Sequence, residues 1–280
     1  MLIYFVLCSL NRIFAKEIEN EDRMRSINDI YEAIDADGFK DSTLQLIDEY
    51  ISDIENGFTD FPRFNQQEHA GLCKGGSPLI GASIIACYAT GSITASCNAE
   101  GRQRSPANWE IDEHQERLIE EWAKAARLWV ESSDSVITEG FGPMIAQGAE
   151  AMVYYKDGAT SVVKERASIY STTQKALDAI VLHNYLFPET AMKVIGFTRD
   201  CDGLLRIVLT QPYVNCLRLA TKEEIDKMVE AKGFHDNWNG QGVNYISDHL
   251  ALEDMHPANV FIDVVTETPI CIDCIVKFVN

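Results

Sequence analysis

Basic residues are scarce in this chain. Its 280 residues carry 24 Lys and Arg against 43 Asp and Glu, a formal charge of -19. A broad surface for nucleic-acid phosphate or anionic membrane is therefore excluded, and only a local basic pocket remains open. Internal repeats and low-complexity tracts are missing. With 46% hydrophobic residues, the length suffices for one large core or two modest ones, so disorder is excluded. No disulfide framework is visible either. Cys8, Cys73, Cys87, Cys97, Cys201, Cys216, Cys271 and Cys274 show no tight spacing, which points to reduced thiols in a cytoplasmic protein. The lone Cys271-Ile272-Asp273-Cys274 has no second CxxC or HxxxH to complete a zinc set, and is expected to be a pair of buried strand cysteines. Long apolar runs are also few. Leu2 to Leu10 lacks a preceding basic residue and meets Arg12 too soon to span a bilayer. It is expected to be a core-packing start or a non-cleaved leader, with export as the alternative. No other segment is expected to reach transmembrane length.

What is present begins with helical periodicity. Ile27, Ile30, Tyr31, Ile34 and then Leu44, Ile47, Tyr50, Ile51, Ile54 recur at spacings of three and four, broken at Asp37-Gly38, which predicts a helical hairpin. Gly71 to Pro78 is glycine-rich but lacks the Gly-Lys-Ser/Thr end of a Walker loop, so a structural turn is expected before a buried helix or strand pair over 79–95. Glu110 to Val130 predicts an amphipathic helix with Leu118, Ile119, Trp122, Ala125, Ala126 and Trp129 on one stripe. Ser132 to Ser135 reads as a linker. The expected organisation is an apolar segment over 1–15, a mostly helical region over 16–135 and a compact domain over 136–280.

Beyond residue 136 the period falls to two. Met144-Ile145-Ala146, Ala151 to Tyr155, Ser161 to Lys164, Val194 to Phe197 and Leu204 to Leu209 predict short strands, with turns at Gln147-Gly148, Asp157-Gly158 and Asp202-Gly203. One helix, about Thr173 to Leu186, interrupts them. Three strings then carry chemistry: Val162-Val163-Lys164, Asp254-Met255-His256-Pro257-Ala258-Asn259 and Ile272-Asp273. A strand lysine can grip phosphates. An aspartate followed five residues later by an asparagine can place a proton acceptor and a metal-binding amide on one tight turn. A further aspartate after a strand can chelate magnesium.

Order and intervals of these strings resemble a protein kinase. With Leu182 to Thr190 and Leu209 to Val214 they are similar to the kinase modules found in polyvalent proteins of mobile genetic elements, over about Gly142 to Asn280. The resemblance implies an α+β fold with a kinase-like N-terminal sheet (136–210), a hinge (211–214) and a reduced C-terminal lobe (215–280). It implies ATP and Mg2+ as cofactors. Gly148, Ala149 and Glu150 would form the nucleotide-covering loop, although one glycine stands where kinases usually carry three. Lys164 would hold the α- and β-phosphates, with Asp178 as its ion-pair partner in place of the usual helix glutamate. Gln211, Tyr213 and Val214 would line the adenine edge. Asp254 would orient the acceptor hydroxyl, His256 would offer a donor beside the γ-phosphate, and Asn259 and Asp273 would bind the metal.

Departures from the pattern carry expectations of their own. Leu252 and Glu253 replace the usual His-Arg, so control by loop phosphorylation is not expected. Cys274-Ile275 replace Phe-Gly, and seven residues follow Asp273, so the acceptor is expected to be presented by the helical first half or by a partner. The acceptor itself is a hydroxyl on a protein or small molecule. The alternative reading is a silent nucleotide-binding scaffold, and a third is an adaptor that binds another protein through its acidic helical half.

Overall fold

The computed structural model describes residues 26–61, 63–64, 66–99, 105–131, 140–148, 150–167, 172–238 and 242–279. The apolar start, the 132–135 linker and Ala149 therefore lie outside the described residues. The chain forms two compact units, Met1–Phe61 and Pro62–Asn280, so the division falls well before the expected linker.

The first unit is the expected hairpin of α1 (Ile27–Asp37) and α2 (Asp41–Glu55). Ser26 caps α1: its hydroxyl accepts from Asn28 N at 3.1 Å while Asp29 accepts from Ser26 N at 2.8 Å, satisfying amides that a helix start leaves unpaired.

The second unit opens with α3 (Gln66–Lys74), α4 (Ser77–Ala99) and α5 (Asn108–Ala125). The Leu79 to Ala95 run is thus a helix, with Leu79 to Ala86 all buried. At 23 residues and a mean hydropathy of 1.4, α4 is long and apolar enough to cross a membrane, contrary to the expectation that no such segment occurs; half of that window is buried inside this fold. Helices α4 and α5 cross closely at Gly81, where a Cβ would stand 2.4 Å from the Trp122 ring. The expected stripe to Trp129 stops short. Arg127 takes φ 59, and Leu128 to Val130 turns into an extended segment bonded to Phe197 (2.8 and 2.9 Å).

Next comes an antiparallel five-stranded sheet in the order β1-β2-β3-β5-β4, from β1 (Met144–Gln147), β2 (Ala151–Tyr154), β3 (Ser161–Ala167), β4 (Lys193–Arg199) and β5 (Leu205–Pro212). Helix α6 (Thr173–Leu186) lies between β3 and β4 in sequence, as the pattern predicts. Most of it is buried, Gln174, His183 and Asn184 included, with Lys175 left exposed, because α3, α4 and α5 cover one side and a C-terminal strand another. Its opening amides find partners on α5. Asp112 accepts from Thr173 N and Oγ1, and Gln115 Oε1 accepts from Gln174 N at 2.9 Å. Arg199 on β4 binds Glu116 (2.8 Å) and Glu120 (2.6 Å), so α5 is also bolted to the sheet.

After residue 215, where a reduced C-terminal lobe was expected, the chain is mostly strand. Apart from α7 (Lys222–Glu230), the chain forms β6 (Cys216–Leu219), β7 (His235–Asp236), β8 (Val243–Ile246), β9 (Leu250–Glu253), β10 (Val260–Asp263), β11 (Pro269–Cys271) and β12 (Ile275–Phe278). These make two small antiparallel sheets, β11-β10-β6 and β12-β9-β8-β7. Val229, Tyr245, Leu252, Met255, Val260 and Val276 fill a core that extends to Leu182 and Phe187. The architecture is α+β.

Candidate functional site

Strand ends position the polar groups. Asp254 follows β9, Asn259 precedes β10, and Asp273 lies in the short link from β11 to β12. The two loops are tied by Ile272 N donating to Asn259 O at 2.9 Å. Lys164 comes from the middle of β3, paired on either side with Val153 and Leu209, so its backbone is fixed by neighbours on both flanks. All four side chains line one cavity of about 570 Å³, together with Ile145, Gly148, Glu150, Val153, Val162, Gln211, Tyr213, Val214 and Phe261. The convergence expected from the sequence is present.

Lys164 is 6% exposed. Its Nζ donates to Ile272 O at 3.1 Å and lies 3.9 Å from Asp273 Oδ2. Burial pushes its pKa down; Asp273 works against this and Arg166 adds to it. Asp273 is pushed up by burial, but Lys164, Arg166 and His183 more than offset that and hold it below the usual carboxylate range. Arg166, two residues along the same face of β3, is the group the sequence reading missed. It reaches Asp273 Oδ1 at 3.5 Å and Glu150 Oε2 at 2.9 Å. Strand alternation from Lys164 was the available signal. Glu150 thus binds Arg166 from the turn between β1 and β2.

Asp178 is not the partner of Lys164, which corrects that assignment. It faces the helical side of α6, where Arg63 lies at 2.5 Å and Gln174 Nε2 at 3.1 Å. Lys164 instead meets Asp273 directly. Gln211 is buried at the end of β5 and donates from Nε2 to Thr190 O at 2.8 Å, so its side chain braces the turn after α6. Tyr213 stacks on Tyr155 with ring centroids 4.5 Å apart at the cavity rim. Gly148 needs no glycine for the fold itself: a Cβ there would meet nothing nearer than Ala151 O at 3.9 Å.

Asp254 sits at φ 58, a conformation that short polar residues tolerate better than most. Asn259 Nδ2 donates to both its carbonyl and its Oδ2, each at 2.9 Å, which leaves Asn259 Oδ1 free to face a cation. His256 lies outside the cavity lining. Its Nδ1 accepts from Ala258 N at 3.3 Å, so the ring proton is on Nε2, 3.0 Å from Asp254 Oδ1. The histidine therefore holds the aspartate's second oxygen, a different task from the phosphate donor expected of it.

A comparison with curated proteins finds no match. Residues 112–280 match the family described as serine/threonine/tyrosine kinase found in polyvalent proteins. The match opens at Asp112, the residue that caps α6, and it takes in every group that lines the cavity. With more than half of its length matched, the chain belongs to this kinase family.

Proposed function

We propose that the protein is an atypical kinase that transfers the γ-phosphate of Mg-ATP to a hydroxyl acceptor, most simply on a protein in the cytoplasm. The observation that carries the reading is the single cavity in which Lys164, Asp254, Asn259 and Asp273 meet from separate segments. Its lining is mixed. Ile145, Val153, Val162 and Phe261 offer apolar surface for a flat base, and Lys164, Asp254, Asn259 and Asp273 offer polar groups for a triphosphate. The five-stranded sheet with α6 then corresponds to the N-terminal lobe, and the residues after Val214 to a reduced C-terminal lobe.

Asp273 and the free Oδ1 of Asn259 form an oxygen-only donor pair, the chemistry that magnesium favours. Magnesium bound there would neutralise phosphate charge as the bond to the leaving oxygen breaks. Lys164 grips the phosphates, and Ile272 O and Asp273 hold its ammonium in place. Gly148 leaves room for phosphate to approach the loop backbone. Asp254 accepts the acceptor's hydroxyl proton, its oxygens fixed by His256 and Asn259. Catalysis on this reading is alignment and charge stabilisation.

Labelled ATP, offered with a generic protein acceptor, tests the reading. Transfer should fall by roughly 100-fold or more in Asp254→Ala while nucleotide affinity stays within about twofold. ATP binding with no transfer by the unmodified chain would move the assignment to a silent scaffold, and no metal-dependent ATP binding would remove both.

A further inference from the structure

Cys271 and Cys274 flank the aspartate link, and the turn between them sends Asp273 toward the cavity while both thiols point into the core. His183, on the last turn of α6, meets them there. One ligand atom from each of the three residues lies within 4.8 Å of the others, and all three residues are buried. We propose that His183, Cys271 and Cys274 form a site for one thiophilic d10 metal ion, Zn(II) or Cu(I), that pins α6 to the β11–β12 link carrying Asp273.

Geometry supports this over a plain pair of core thiols. Metal-sulfur and metal-nitrogen bonds of about 2.3 and 2.0 Å place tetrahedral ligand atoms roughly 3.5 to 3.8 Å apart. His183 Nδ1 and Cys274 Sγ are 3.6 Å apart. The imidazole is already oriented: its Nε2 faces Thr190 O at 3.4 Å, and a carbonyl only accepts, so the proton is on Nε2 and the Nδ1 lone pair faces the sulfur. A histidine that donates its far nitrogen to a backbone carbonyl is the usual support for a metal-binding ring. Thr190 is itself held, by its hydroxyl donating to Cys271 O at 2.6 Å and by Gln211. Without an ion, this buried imidazole has only contacts of 3.4 Å and longer, a poor exchange for lost water.

A fourth soft donor is at hand, since buried Met255 Sδ lies 3.9 Å from Cys271 Sγ. Two thiolates balance a divalent ion, and with Cu(I) they leave one negative charge near the Lys164 and Arg166 cations gathered at Asp273. The two thiol protons leave to solvent on binding.

The test uses the full chain, purified under reductant and incubated separately with Zn(II) and Cu(I), then desalted against a chelator. Metal analysis should find about one ion per chain in at least one arm, and the arm that survives the stronger chelator identifies the ion. Cobalt(II) substitution should give a thiolate-to-metal charge-transfer band. Both signals should be lost in Cys271→Ser and Cys274→Ser and kept in Cys201→Ser and Cys216→Ser, which alter exposed thiols. X-ray absorption on the unmodified chain should show two sulfurs and an imidazole, a readout that stands even where a serine variant fails to fold. Retention of less than about a tenth of an ion in both arms, an oxygen-only shell, or stoichiometry unchanged in folded Cys271→Ser and Cys274→Ser would overturn the proposal. No nucleotide enters these measurements, so they stand or fall apart from the kinase reading.

Discussion

The two halves of the cavity are built by different means. On the sheet side, Lys164 and Arg166 are nearly inaccessible, and a chain of charge runs from Glu150 through Arg166 to Asp273 and on to Lys164. On the turn side, Asp254, His256 and Asn259 are held by bonds within six consecutive residues, with the Asp254 side chain half exposed at 51%. Charges taken out of water depend on one another, because removing one strands the rest. A solvated turn can lose a member at little cost to the fold. Stability and chemistry should therefore separate along this line.

The largest expected effect on chemistry is Asp273→Asn, which removes the full carboxylate that both reaches the cations and would bind magnesium. Phosphate transfer should fall by about 1000-fold or more, and transfer at an unchanged rate would remove Asp273 from the metal site. The largest effect on stability is Arg166→Leu. It leaves Glu150 without the cation it binds and Asp273 with Lys164 alone, and should cost about 3 to 5 kcal/mol, read from the urea midpoint. A cost near zero would show that the network is loose.

Lys164→Met sharpens the contrast. Burial already disfavours this ammonium, and Asp273 keeps Arg166, so stability should hold or rise by up to about 2 kcal/mol while ATP affinity falls about tenfold or more. Smaller still is Asp254→Gly. Glycine accepts the positive φ, so the unfolding free energy should stay within about 0.5 kcal/mol even as transfer is lost. Unfolding by more than that would mean the turn is part of the core after all.

Acid should weaken the network half. The Asp273 pKa lies below its ordinary 3.8 in the folded chain, so its contribution is present above that value and is lost as pH falls through the folded one. The urea midpoint should drop as the pH falls below about 4, with a shallower drop in Asp273→Asn.

Much of this was legible in the residues. Strand alternation and turn pairs located β1 to β5, the apolar run 173–186 located α6, and the intervals among Lys164, Asp254, Asn259 and Asp273 located the cavity. Pairings that depend on tertiary contact were not legible. Asp178 is the nearest acidic candidate on α6 by sequence, yet only the fold shows that its side of the helix meets Arg63. Trp129 continues a helical stripe by spacing, but Arg127 at positive φ turns the chain into a strand-like bridge. Cys271 and Cys274 lacked a second ligand pair in the sequence, because His183 lies 91 positions away from Cys274 along the chain. The β-rich end was read only in part: a strand before Asp273 was expected, while β6 to β9 were not.

Helix α6 is packed against α3, α4 and α5, and its first turn is fastened to α5 by Asp112 and Gln115. Kinases that swing the corresponding helix outward to switch off need empty space behind it. Here other helices pack against α6, so on the kinase reading proposed above an off state would not come from displacing it. Regulation would have to act on the loops at the cavity mouth, or on the supply of nucleotide and acceptor, with the beam itself locked in its working position.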